Sequence, residues 1–400
     1  MKKLFYTIIV LACSMANYAQ TDTIDNHKDT TGFIFTTVKD IPITSVKDQH
    51  RSGTCWAFST LSFLEAELLR TGKGEYDLSE MFVVHHTMRD RAQYCVRMYG
   101  DVKFAAGGSA YDIIYCLKHY GLVPQSAMPG IMYNDSLPNH GELDDVVSGF
   151  LTGLWKSSRK KLTPVWQNAL TAIYDTYLGQ CPQQFEYEGK TYTPISFANE
   201  LGLNPDDYVS ITSYTHHPFY TQFPLEVPDN WRMDQMYNVP IDELMEIIDN
   251  AINNGYTLAW GADVSEVGFT RNGIAVMPDA DKGAEITGTD MAKWTGLSQA
   301  EKKQELTAKP LPELEITQEM RQLAFDNWEN TDDHGMHIFG TATDQNGKLY
   351  YKVKNSWGTT KSKYNGIWYV STAFMKYKTN DILVHKDAIP KHIRKKLGIK

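Results

Sequence analysis

Apolar residues recur along the chain with two different periods, and the two periods occupy different parts of the sequence. Helical spacing, in which an apolar residue returns every three or four positions, runs through 54–71, 78–98, 108–120 and 240–255. Short runs rich in β-branched and aromatic residues, which are typical of strands, cover 256–264, 338–343, 349–353 and 367–369. The pattern predicts an α+β fold with a helical lobe at 20–255 and a β lobe at 256–400.

Two segments interrupt this pattern. Residues 130–235 are rich in Pro, Tyr, Asn and Gln and contain one amphipathic helix near 164–179. Residues 265–320 lack a clear period. We expect both to be insertions, the first in the helical lobe and the second in the β lobe, which ends in a short basic helix.

One cysteine lies at a position that favours a reactive thiolate. Cys55 directly precedes a helical apolar run, and a helix N-terminus lowers the pKa of a thiol. Ser52 or Thr54 is a candidate cap for this helix. Gln49, six residues earlier, is placed to donate to an oxyanion together with the Cys55 N–H. The alternative is a buried structural cysteine, the usual fate of a free thiol.

A base and a residue to orient it follow late in the chain. Asn346-Gly347 lies between two β-prone runs and predicts a hairpin that brings His334 back against Asn355. Asn355 can then hold one imidazole nitrogen while the other faces Cys55. Trp357 would shield that hydrogen bond from water.

His337 competes with His334 for the role of base. Residues three apart on a strand face opposite sides, so only one of the two can point at Cys55. In papain-like peptidases, which the order of these residues resembles, the base follows an acidic or small polar residue and precedes a small one. Asp333-His334-Gly335 fits that pattern and Met336-His337-Ile338 does not, so the resemblance favours His334.

The order Gln49, Cys55, His334 and Asn355 resembles papain-like cysteine peptidases. Ser52 stands where secreted papains carry a disulfide cysteine, and Cys55 and His334 are 279 residues apart (334 minus 55), against roughly 130–150 in ordinary papains. Both features are similar to the bleomycin hydrolase and aminopeptidase C branch. So are the Gly107-Gly108 pair and the Tyr120-Gly-Leu-Val-Pro124 run.

The resemblance implies a two-lobed papain-like fold with an antiparallel β lobe, and a thiol peptidase that needs no cofactor or metal and acts on peptides. It implies an aminopeptidase on short peptides, and hexamers in this branch. The alternatives are an endopeptidase with an open cleft and a non-catalytic binding or scaffold protein on the same fold. Gly107 and Gly108 would let substrate backbone lie against the enzyme, or they form only a loop before a helix capped by Ser109.

Composition, charge and the N-terminal segment indicate the kind of partner and the location to expect for this protein. The chain has 400 residues, 42% of them hydrophobic, with a net charge of −9, which argues against nucleic-acid binding. Residues 1–19 have the basic start and short apolar run of an export signal, too short to span a bilayer. We therefore expect an exported, periplasmic or secreted bacterial protein, with lipoprotein anchoring through Cys13 as the alternative.

Four cysteines remain after removal of such a signal, and a Cys95–Cys116 or Cys116–Cys181 bridge is compatible with that number. The resembled enzymes end in an arm whose terminal carboxylate meets the free amine of the substrate. The sequence ends at Lys400 without that tail. We expect a carboxylate of an inserted region to replace it, for example in Glu142-Leu-Asp144-Asp145 or Pro205-Asp206-Asp207.

Overall fold

The computed structural model describes residues 32–157, 161–279 and 298–400. Its helices are α1 Cys55–Arg70, α2 Glu80–Arg97, α3 Ala110–His119, α4 Gly141–Trp155, α5 Val165–Leu178, α6 Pro194–Leu201, α7 Ile241–Asn253, α8 Gln299–Ala308, α9 Gln318–Asp326, α10 Thr372–Lys378 and α11 Lys391–Leu397. Its strands are β1 Thr36–Asp40, β2 Phe185–Tyr187, β3 Lys190–Tyr192, β4 Tyr208–Thr212, β5 Gln222–Pro224, β6 Gln235–Asn238, β7 Leu258–Ala262, β8 Phe269–Thr270, β9 Ile274–Ala275, β10 His334–Thr343, β11 Leu349–Lys354, β12 Ile367–Ser371 and β13 Thr379–His385.

The helical lobe is built around α1. The apolar residues of α1 pack with those of α2 and α3 in one core, because each helix repeats an apolar face at helical spacing. Helices α4, α5 and α6 and the small β2–β3 hairpin contribute to the same core. The inserted segment therefore extends the hydrophobic core of this lobe.

The β lobe is organised around one large sheet. Its strands lie in the order β5-β6-β4-β13-β7-β10-β11-β12-β9-β8, and β1 pairs with β10. Helix α7 covers it with a face that carries Leu244, Ile248 and Ile252, all fully buried. Most pairs are antiparallel, as expected, but β4–β6 and β12–β9 are parallel.

Part of the first insertion belongs to this sheet. The sequence pattern assigned 130–235 to the helical lobe, whereas β4 pairs with β13 and carries β6 and β5 with it. The strands are three to five residues long, too short to produce a clear alternation of apolar and polar positions.

The hairpin predicted at Asn346-Gly347 is confirmed. Strands β10 and β11 pair antiparallel on either side of it. The Asp344 carboxylate accepts the N–H groups of Asn346 and Lys348, each at 2.9 Å, and Gly347 has φ +80°. This local chemistry places the strand of His334 beside the strand that leads to Asn355.

The expected export signal at 1–19, with Cys13, lies outside the described residues, as does 280–297 of the second insertion. Within the part of the chain that the structure describes, no helix has both the length and the apolar character needed to cross a bilayer.

A buried ion pair ties α10 to the end of β7. The Lys378 ammonium lies 3.2 Å from the Asp263 carboxylate, and each side chain is 2% exposed. Asp263 also accepts the N–H of Thr331 at 3.1 Å, three residues before His334. The pair thus fixes the chain that leads into β10.

Replacing Lys378 with Met should lower the free energy of unfolding by about 3 kcal/mol, because Asp263 would remain as an unpaired buried charge. The control is Lys376→Met on the same helix, whose partner Asp242 is 83% exposed. It should cost less than about 1 kcal/mol. Denaturant midpoints measure both. Equal losses in the two variants would contradict a special role for the Lys378 pair.

Candidate active site

Cys55 is the first residue of α1, at the boundary between the two lobes. Thr54 occupies the N-cap position, but within the described chain neither its side chain nor that of Ser52 accepts a hydrogen bond from the first turn of the helix. The Ser52 hydroxyl instead donates to the Gln49 carbonyl at 2.8 Å. The expected side-chain cap was therefore wrong. In the first turn, the N–H groups of Ala57 and Phe58 donate to the Thr54 carbonyl at 2.9 and 3.2 Å.

Two opposing effects act on the Cys55 thiol. Burial raises its pKa to about 12, and the charges of Asp229 and Asp332 act in the same direction. The backbone N–H groups of Gly335 and Trp56 donate to the sulfur and lower the pKa. A thiolate at this position therefore needs a positive neighbour, which His334 supplies when it is protonated.

His334 and Asn355 form the hydrogen bond expected from the sequence. His334 Nε2 lies 2.8 Å from Asn355 Oδ1, and Asn355 is 1% exposed. The same oxygen accepts the N–H of Ser356 at 2.7 Å, which fixes which end of the amide is oxygen. His334 must then donate through Nε2, so Nδ1 is left to exchange a proton with Cys55. His334 and Cys55 line the same cavity.

Trp357 lies against this pair. Its ring centre is 4.9 Å from that of His334, with 35° between the planes. The indole in turn packs edge-on against Phe269 and Trp368. It therefore covers the imidazole from the side of the β lobe, in the position expected for a shield against water.

Gln49 is held by two separate hydrogen bonds. Its Oε1 accepts from the Ser356 hydroxyl at 2.6 Å, and its Nε2 donates to the Ser52 carbonyl at 2.9 Å. An amide nitrogen carries two protons, so one N–H remains for an oxyanion next to the Cys55 N–H. Sequence reasoning missed Ser356. Its only signal was its place between Asn355 and Trp357, because its partner lies 307 residues away.

Gly335 allows the two halves of the site to meet. A Cβ at this position would lie 2.8 Å from the Ser59 hydroxyl and 3.3 Å from the backbone of Trp56. Any larger residue would push β10 away from α1. The small residue after His334 is thus a steric requirement of the site.

His337 takes part in a different environment. It is fully buried beneath α1, where its Nδ1 lies 2.8 Å from the Ser62 hydroxyl. Burial, with a smaller effect from Lys354, lowers its pKa well below the usual value. The strand alternation thus directs His337 under α1 and His334 toward the cleft.

The two glycines before α3 differ in their surroundings. Gly108 lines the cavity with Cys55, whereas Gly107 is covered by the Asp229 carboxylate, which would lie 2.0 Å from a Cβ there. The loop also begins α3, with the Ser109 N–H donating to Asp112 at 3.0 Å.

The four cysteines of the described residues are all free thiols: Cys55, Cys95, Cys116 and Cys181. Neither candidate bridge therefore forms.

A thiol on a helix N-terminus that faces a His–Asn pair across two lobes defines a papain-like cysteine peptidase. The fold agrees with the crystal structure of PepW from Lactobacillus rhamnosis, at a TM-score of 0.68 and 20% identity over 91% of this chain and 84% of that one.

A sequence model of the Peptidase C1-like family matches residues 2–304 and 312–399, and the chain belongs to this family. It is 25% identical to aminopeptidase G of Lactobacillus delbrueckii subsp. lactis over 88% of this chain and 83% of that enzyme. It is 23% identical to aminopeptidase C of Listeria monocytogenes over 87% and 81%. The chain is therefore a cysteine peptidase.

Substitution of the two histidines should separate their roles. His334→Ala should lower kcat by about 10³-fold through loss of the base. His337→Ala should instead cost about 1–3 kcal/mol of stability, from the lost contact with Ser62, with kcat per folded molecule nearly unchanged. Turnover and thermal unfolding of both variants measure this. The reverse pattern would assign the base to His337.

The pH dependence of Cys55 alkylation by iodoacetamide should report a shared proton. Burial lowers the pKa of His334 to about 4 and raises that of Cys55 to about 12. The first shift disfavours the imidazolium and the second disfavours the thiolate, so the pair as a whole tends to stay without net charge. Because the two groups interact, each titration step belongs to the pair and not to one residue. The rate should fall only below the ordinary histidine value of about 6.5. In His334→Ala the limb should move to much higher pH, toward the pKa of the thiol alone, which burial raises. A limb at or above 6.5 in the unaltered enzyme would contradict this account.

Proposed function

We propose that the protein is a cysteine aminopeptidase that removes N-terminal residues from short peptides. The named relatives in the family are aminopeptidases, including those of Lactobacillus and Listeria. The observation that carries the proposal is the size of the cleft next to Cys55. The cavity that Cys55, Gly108 and His334 line together measures about 30 Å³.

Such a cavity holds one or two water-sized groups. We take this cavity to accept the amino group of the residue that is cleaved and no further residue beyond it. The Asp229 carboxylate, which covers Gly107, closes the path along which a longer chain would lie. A substrate would therefore enter with its own N-terminus foremost.

In the first half of the proposed reaction, the Cys55 sulfur attacks the carbonyl carbon of the N-terminal residue. Its proton passes to His334 Nδ1, and the carbonyl oxygen takes the negative charge. The Cys55 N–H and the free N–H of Gln49 Nε2 stabilise that oxyanion. The C–N bond then breaks as His334 returns the proton to the leaving amine.

In the second half, His334 takes a proton from water, which attacks the thioester carbon. Collapse of this intermediate breaks the C–S bond and releases the amino acid, and the proton returns to the sulfur. Asn355 keeps the imidazole oriented through both halves, because its Oδ1 holds Nε2–H at 2.8 Å. No cofactor takes part in this scheme.

The alternatives differ in what they require. An endopeptidase needs a cleft that accepts residues on both sides of Cys55, which the carboxylate over Gly107 disfavours. A non-catalytic scaffold would carry no constraint on Cys55, His334 or Gln49. All three are present, and buried hydrogen bonds hold His334 to Asn355 and Gln49 to Ser356. Export and assembly into a hexamer stay predictions of the sequence and the family resemblance.

Coumarin amides of single amino acids should be cleaved about 100-fold or more faster than their N-acetylated forms. The small cavity rejects the added acetyl group, and acetylation also replaces the positively charged amine of the substrate with a neutral amide. Measurement of kcat/KM on matched pairs tests this. Cys55→Ala is the control and should lose roughly 10³-fold or more in turnover on both. Equal or faster cleavage of the acetylated substrates would show an endopeptidase.

A further inference from the structure

Four carboxylates line the cavity next to Cys55. Asp229 belongs to the inserted segment between β5 and β6, Asp332 and Asp333 lead into β10, and Asp381 lies in β13. Three separate parts of the chain thus bring acidic groups to one small space. The absence of a side chain on Gly107 and on Gly261 makes room for two of them, since a Cβ there would lie 2.0 Å from Asp229 and 2.4 Å from Asp381.

The cations near the cavity do not balance these charges. Arg91, which is buried, lies 3.2 Å from Asp229 and also donates to the carbonyls of Gly107 and Pro228. Among the described residues, no cationic side chain lies within 4.0 Å of Asp332 or Asp381. Arg321 acts on Asp381 from a greater distance, while donating to the carbonyls of Ser213 and Lys376.

The acids respond to this imbalance. Burial, and then the charges of Asp229, Asp381 and Asp333, raise the pKa of Asp332 well above its usual range. Burial raises the pKa of Asp381 to about 7. A positive group that entered the cavity would favour the ionised carboxylates and relieve their repulsion.

A separate feature indicates a hydrogen-bonding ligand. Thr60, on α1, lines the same cavity and is fully buried. Within the described part of the chain, its hydroxyl has no hydrogen-bond partner. A buried hydroxyl without a partner is costly, so a ligand with donors or acceptors would stabilise it.

The chemistry at Cys55 indicates which ligand this is. In an N-terminal residue, the amine is two covalent bonds from the carbonyl carbon that the thiol attacks, roughly 2.5 Å away. The amine must therefore lie close to Cys55. Asp229 and Asp332 are the acids whose charges act on the Cys55 thiol.

We propose that Asp229 and Asp332 bind the free α-ammonium group of the substrate's N-terminal residue in this cavity. The inference rests on the proposed aminopeptidase function and names the residues that would enforce it. An ammonium donates three hydrogen bonds and carries the charge that the cavity lacks. The carboxylate comes from the first insertion, as the sequence led us to expect, but from Asp229 and not from the acidic runs at 142–145 or 205–207.

The test uses Asp229→Asn and Asp332→Asn. Each substitution removes the negative charge and keeps an oxygen acceptor, and in Asp229→Asn that oxygen can still accept a hydrogen bond from Arg91. Each should lower kcat/KM about 30-fold or more for free-amine coumarin substrates. Cleavage of the N-acetylated forms should stay unchanged or rise. The matched control is Asp206→Asn, an exposed acid paired with Lys118 on the surface, which should change neither rate.

Active enzyme is counted in each variant by alkylation of Cys55, so that loss of folded protein is not read as loss of specificity. If both variants fail to fold, the unaltered enzyme is compared on substrates whose amine is replaced by a hydroxyl group. We expect these to react about 30-fold or more slowly, and an equal rate would overturn the proposal.

The outcomes separate the two proposals. If the unaltered enzyme cleaves acetylated substrates equally well, the aminopeptidase function fails and the inference with it. If it prefers free amines but both aspartate variants lose activity equally on the two substrates, only the inference fails. Cleavage of N-acetyl-Lys-Ala-coumarin that depends on Asp229 would show that the acids bind a basic side chain in an open cleft, which also overturns it.

Discussion

The close approach of α1 to β10 is the constraint on which the site depends. Cys55 lies on a helix of one lobe and His334 on a strand of the other, so neither lobe forms the site by itself. Gly335 permits this approach because it has no side chain: a Cβ at this position of β10 would lie 3.3 Å from the backbone of Trp56. This contact between α1 and β10 buries His334 and covers part of Cys55. Burial opposes a charge on either group alone, and so favours exchange of one proton between them.

Buried polar contacts hold the loops on either side of this contact. Gln49 and Asn355 are both bound to Ser356, so the proposed oxyanion donor and the residue that holds His334 are joined through one residue. Beneath them, the Lys47 ammonium lies 3.3 Å from Glu65 on α1 and 2.7 Å from Glu80 on α2. The segment that carries Gln49 is thereby anchored to both helices. Ion pairs buried this deeply are costly to break.

The inserted segment combines two roles that are usually separate. It adds β4, β6 and β5 to the edge of the sheet through β13, and the turn between β5 and β6 carries Asp229 across to Gly107. The thiol and the imidazole lie on elements of the common fold, while the insertion contributes Asp229, one of the four carboxylates that line the cleft. Specificity can then change without disturbing the reacting groups.

The sequence by itself determined the elements that depend on local chemistry. The apolar period of α1 and α7, the Asn346-Gly347 turn and the small residue after His334 could each be read from neighbouring residues, because propensity and turn geometry act over a few positions. Cap formation at α1 was predicted wrongly, since a Ser or Thr before a helix can bond elsewhere, as Ser52 does with Gln49.

Contacts between distant parts of the chain could not be read in this way. The bond between Ser356 and Gln49, the addition of β4 to β13, and the meeting of Asp229 with Asp332 join segments separated by about a hundred residues or more. No local pattern encodes which acid reaches the cleft, so the acidic runs at 142–145 and 205–207 looked as suitable as Asp229. Packing of the two lobes decided it, because Gly107 and Gly261 leave space for the carboxylates of Asp229 and Asp381.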